Sequence, residues 1–163
     1  MSAKNILPPS DRISASFKQL AESAVLLNAA SDELAKAIAP IDAALKKLNL
    51  GVSAWHKYAG SLSDFGDFWS HQIGYAKIGG KWGLAICATT GIIGDEELEG
   101  DEWLFNDAPR WMRIQAIEHI PELLEDLVKQ ANKVASDLQN KTEQARELAA
   151  TITNLSIAVQ VRK

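Results

Sequence analysis

The residues in this chain best suited to chemistry are aromatic and basic, and they lie close together. Trp55, His56, Lys57 and Tyr58 form one run. Trp69, His71, Tyr75, Lys77, Lys81 and Trp82 follow, and Arg110, Trp111, Met112 and Arg113 complete the set. Aromatic faces stack on bases, while Lys and Arg hold phosphates. The same mixture of Trp, Tyr and Arg dominates the energetic centres of protein interfaces. A plainer use is a small aromatic core with cationic edges, in which Lys77 snorkels over Trp82. The candidate binding residues are therefore Trp55, His56, Lys57, His71, Tyr75, Lys77, Lys81, Trp82, Arg110 and Arg113.

Other motifs exclude more than they suggest. The stretch Gly74 to Trp82 has the glycines of a phosphate loop. Its spacing puts Gly80 where the lysine belongs, and Trp82, not Ser or Thr, follows Lys81. Glu118-His119 lacks the second histidine of a zincin helix. His56 and His71 could meet across strands, but no cysteine partner or ligand spacing points to a metal. Asp95 and Gly100 fit the first and sixth positions of a calcium loop, yet Asn106 replaces the terminal glutamate. The lone cysteine, Cys87, follows Ile86 in an apolar segment and reads as an inert core residue. No glycine-flanked serine elbow is present. The sequence thus implies no metal, no cofactor and no nucleophile.

These candidates need elements to hold them. All ten glycines fall between Gly51 and Gly100, and ten of the eleven aromatics between Trp55 and Trp111. The flanks, 10–50 and 108–163, are free of glycine, which suits helices. The N-terminal flank carries Ile13, Phe17, Leu20, Ala24, Leu27, Ser31, Leu34, Ile38, Ile41, Leu45 and Leu48 at alternating steps of four and three. The C-terminal flank repeats the pattern from Ile117 through Leu124, Ala131, Leu138, Ala145 and Ile152 to Val159, with Lys141 as a charged seam position. Such spacing predicts coiled-coil seams. Ser10 or Asp11 is the expected cap of the first helix and Gly51 its left-handed end. Asn106 or Asp107 is the expected cap of the second, ahead of Pro109. Pro40 implies a kink, and Pro121 a kink or a restart.

Between the flanks, Gly79-Gly80 predicts a two-residue hairpin turn. It sets Lys77 opposite Trp82, Tyr75 opposite Leu84, Ile73 opposite Ile86 and His71 opposite Ala88. The other face pairs Ala76 with Gly83, Gly74 with Ala85 and Gln72 with Cys87. That face is nearly bare, so another element or a flat ligand can approach it closely. Residues 52–58 predict a third strand.

The expected fold is mainly α with a small β part, in one domain over 1–163. Two long heptad-patterned helices, 10–50 and 108–163, form an antiparallel stalk or coiled coil. They flank a small antiparallel head over 51–107, with an acidic loop at 91–102. The net charge is −4, and residues 91–110 carry one basic and seven acidic groups. This balance argues against nucleic acid as a partner. No membrane span or secretory leader is visible, which suggests a cytoplasmic protein. The expected function is a non-enzymatic homo-oligomer whose aromatic–basic head binds a partner protein. The alternatives are a binder of a small anionic, nucleotide-like ligand between subunits, or an enzyme on such a ligand with His56 or His71 as acid–base.

Overall fold

The computed structural model describes residues 8–94 and 98–161, with side chains through Ala158. Asp95, Glu96, Glu97 and the seam residue Val159 lie outside the described side chains. The protein is mixed α/β, with one antiparallel four-stranded sheet and two long helices. The chain divides into two compact units, with the boundary between Ala44 and Leu45.

Helix α1 (Pro9–Leu48) makes up the described part of the first unit and crosses the boundary. Pro9 opens it, because a proline's fixed φ and missing N–H suit the first helical position. Ser10 and Asp11 are therefore inside the first turn and not before it, and Asp11 N–H donates to the Pro8 carbonyl at 3.0 Å. The helix continues through Pro40. Its left-handed end falls first on Asn49 (φ 47°), earlier than expected, with Gly51 (φ 63°) left-handed as well. Every side chain from Pro9 to Ala30 is exposed, the seam residues Ile13, Phe17, Leu20 and Leu27 included.

The second unit is built on a meander of strands β1 (Ala54–Leu62), β2 (Asp67–Ile78), β3 (Lys81–Ile92) and β4 (Glu99–Leu104), paired in that order. The β2–β3 register is the one the glycine turn predicts, from Lys77↔Trp82 through His71↔Ala88. Gly79 and Gly80 both have positive φ, 55° and 84°, as a primed turn requires. Strand β1 extends the expected 52–58 segment to Leu62 and carries a bulge between Lys57 and Ala59.

The acidic segment 91–102 departs from the loop expected of it. Strand β3 runs through Ile92, and β4 begins at Glu99. Strand β4 is an edge strand, and Glu99, Asp101 and Glu102 on it are exposed. Charge on an edge strand deters pairing with another chain. A run of acids is therefore compatible with a strand in this place.

Helix α2 (Arg110–Ala116), a 3₁₀ turn (Ile117–His119) and helix α3 (Ile120–Val161) follow. The N-cap of α2 is Pro109, with no side-chain cap bond, so neither Asn106 nor Asp107 plays that part. The helix breaks just before Pro121. Proline there cannot donate to the Ile117 carbonyl and its ring crowds it, so the chain tightens into a 3₁₀ turn and restarts. Helices α2 and α3 pack against β1–β3. Ile73, Leu84, Ile86, Met112 and Leu123 are fully buried between them. Burial of each is worth roughly 1.5–3 kcal/mol. Beyond Ala131, every described side chain of α3 is exposed. Among the described residues, no helix is long and apolar enough to cross a membrane.

Candidate functional site

The β2–β3 register puts Trp69, His71, Ile73, Tyr75 and Lys77 on one face of β2 and Ser70, Gln72, Gly74 and Ala76 on the other. The first face looks toward the helices, because His71 meets Trp111 of α2, with ring centroids 5.2 Å apart. Trp69 tilts against the same imidazole at 4.7 Å. Tyr58, the extra residue of the bulge, lies 6.1 Å from His71 and stacks on His119 at 5.4 Å. His119 stacks in turn on His56 at 5.9 Å. The protein's three histidines thus share one row of rings.

The row ends on an ion-pair network. His56 Nδ1 lies 2.9 Å from Asp126 Oδ2, and Lys129 donates to Asp126 Oδ1 at 2.9 Å. The Lys129 hydrogen bond, then that of His56, holds the Asp126 carboxyl below its ordinary range. Burial pushes the Tyr58 phenol up and the His71 imidazole down. Tyr58 Oη and His71 Nδ1 are both buried and unbonded among the described residues, which explains why the charged forms are disfavoured. A carboxylate on Nδ1 fixes an imidazole's orientation, so His56 is the nearest approach to an acid–base arrangement here. Among the described residues, no three His, Cys, Asp or Glu side chains are set to hold a metal ion.

Beyond Trp69 the sheet ends in an exposed apolar tip. Leu62 closes β1, Ile92 closes β3 and Ile93 follows it in the next turn, and Phe65 lies in the turn between β1 and β2. Ile93 N–H donates to the Gly66 carbonyl at 2.9 Å, which ties the β3 end to that turn. Leu98 and Phe68 meet over Gly91. Phe65 is 90% exposed and Ile93 65%. The flanking charges Asp64, Asp67 and Glu99 are acidic and exposed.

The ten candidate residues do not form one surface. His56 and His71 join the ring row. Tyr75 and Trp82 stack at 5.5 Å near the opposite end of the sheet, with Lys77 and Lys81 exposed by the turn. A cavity of about 250 Å³ opens there, lined by Lys46, Asn49, Leu50, Gly51, Tyr75 and Trp82. Trp55 lies on the other face, its indole over Gly74. Lys57 is exposed and lies beside Gly60. Arg110 is half-buried and Arg113 buried. Asp126 and Lys129 escaped the sequence reading, although His119, Glu122, Asp126 and Lys129 are spaced as one helical stripe. The tip residues escaped because hydrophobicity along a strand does not tell which end stays uncovered. No family model, curated protein or solved structure matches this chain.

Proposed function

We propose that this chain is a non-enzymatic, self-associating interaction protein that docks a partner protein through the tip of its sheet. The observation that carries this reading is the exposed apolar group Leu62, Phe65, Ile92, Ile93 and Leu98. Full burial of such a side chain is worth about 1.5–3 kcal/mol, and each of these forgoes a share of that in proportion to its exposure. Grouped exposure of this kind marks interaction surfaces. The neighbouring Trp69 and Trp111, both exposed, are of the type that anchors interfaces. The acidic flank implies a partner surface that is apolar at its centre and basic at its rim. Self-association draws support from the exposed seam residues Ile13, Phe17, Leu20 and Leu27 of α1 and Leu138, Leu148, Ile152 and Leu155 of α3. A cytoplasmic setting fits the lone thiol of Cys87.

The partner is tested by affinity capture from native extract with folded variants. Phe65→Asp with Ile93→Asp should lose a partner held in stoichiometric amount, while Lys77→Glu with Lys81→Glu should keep it. The reverse outcome would move the surface to the hairpin turn. The small-ligand alternative rests on the cavity beside Tyr75 and Trp82. The α1 carbonyl end opens there, and its negative dipole disfavours an anion, with Lys46 as a partial offset.

A further inference from the structure

We propose that the exposed face of α3 is an interface between copies of this chain, formed by antiparallel pairing with α3 of a second copy and centred between Leu138 and Lys141. The proposal deepens the self-association above and rests on it.

The face is wider than a simple seam. Leu124, Ala131, Leu138, Ala145 and Ile152 form one row, and Val134, Lys141, Leu148 and Leu155 the other. Val128, Ala135, Thr142, Ala149 and Ser156 flank the seam on one side. Gln130, Asp137, Gln144, Thr151 and Ala158 flank it on the other. In a two-stranded coiled coil these flanks normally carry Glu and Lys. Here only Asp137 is charged, so the flanks suit burial by more than one neighbouring helix. The flanking hydroxyls are already satisfied. Thr142 donates to the Leu138 carbonyl at 2.7 Å, Thr151 to Glu147 at 2.9 Å and Ser156 to Ile152 at 2.9 Å. Burying them leaves no orphaned polar group.

The charges and side-chain sizes point to a copy as the occupant. Asp137 and Lys141 are the only charges on this face, and they are opposite in sign. A parallel copy would set Lys141 against Lys141. An antiparallel copy centred between Leu138 and Lys141 sets Lys141 of each chain opposite Leu138 of the other, one residue along the helix from its Asp137. The same register places Ala131 opposite Leu148, Ala145 opposite Val134 and Leu124 opposite Leu155. Small residues then face large ones, as interdigitated layers require. Seven large apolar residues of this face are at least a third exposed, Leu124, Val128 and Val134 among them. At roughly 100 Å² each they approach the ~800 Å² per partner of a standard interface.

Adjacent alanines give the test. Ala149 flanks the seam, whereas Ala150 lies on the far side of the helix, and both are exposed. Native mass spectrometry and sedimentation of the full chain should show an oligomer. Ala149→Glu should weaken it at least tenfold, and Ala150→Glu should leave it unchanged. In a Cys87→Ser background, oxidising a mixture of Ala131→Cys and Leu148→Cys chains should give the mixed disulfide, with little within either variant alone. A monomeric wild type, equal effects of the two glutamates, or disulfides formed only within one variant would each overturn the proposal. A monomer that still captures its partner through Phe65 would overturn this inference and leave the tip reading standing.

Discussion

His71 sits where a strand, a bulge and a helix bring their rings together, and its imidazole is pushed toward the neutral form by burial. The unfolded chain takes up this proton near the ordinary value of 6.5, the folded chain only at lower pH. Below the ordinary value the unfolded state therefore binds more protons, and stability falls as pH falls until folded His71 titrates too. Asp126 acts in a lower window. Its carboxyl is held down by Lys129 and then His56, so its contribution is lost only as pH falls below the usual carboxylate range. The urea midpoint should thus be lower at about pH 5.5 than at about pH 7.5, and His71→Gln should shrink that difference. A midpoint unchanged between the two pH values would contradict the burial of His71. The sequence revealed the imidazoles but not this row. Asp126 lies 70 residues from His56 and on another element, so nothing local in the sequence joins them.

At the scale of elements, the two faces of the sheet show what a turn and a period of two can fix. Gly79-Gly80 sets the β2–β3 register, and with it the bare face along Gly74, Ala76, Gly83 and Ala85. What lies on that face was not legible, because the occupant comes from a neighbouring strand. Trp55 pairs with Gly74 and lays its indole across it, so a methyl group at position 74 would overlap the ring. Gly74→Ala should therefore cost about 1–3 kcal/mol in urea unfolding, as overpacking does. In a Trp55→Ala background the same change should cost much less, which a double-mutant cycle measures. Equal costs in both backgrounds would remove Trp55 from the account. The break before Pro121 was legible as a kink or a restart, since proline chemistry is local, and the chain takes the restart. Strand β4 was not, because its acids resemble a solvated loop until the edge position is known.

For the molecule as a whole, the sequence located the helices, the hairpin and the concentration of aromatic side chains in the middle third. It could not say which apolar residues remain uncovered. Phe65 and Ile93 look like ordinary strand-end residues in the sequence, yet they are among the most open large side chains on the sheet. Lys77 and Lys81 drew attention by charge, and they sit near the opposite end of β2 and β3 from that tip. The proposed partner surface follows from this distribution of exposure and from the acids Asp64, Asp67 and Glu99 beside it. Site-specific photo-crosslinking in the native cell tests it most directly, with the reactive residue at position 65 in one chain and at position 77 in another. The account predicts a discrete adduct with another protein from position 65 and none from position 77. A discrete adduct from position 77 alone would contradict it.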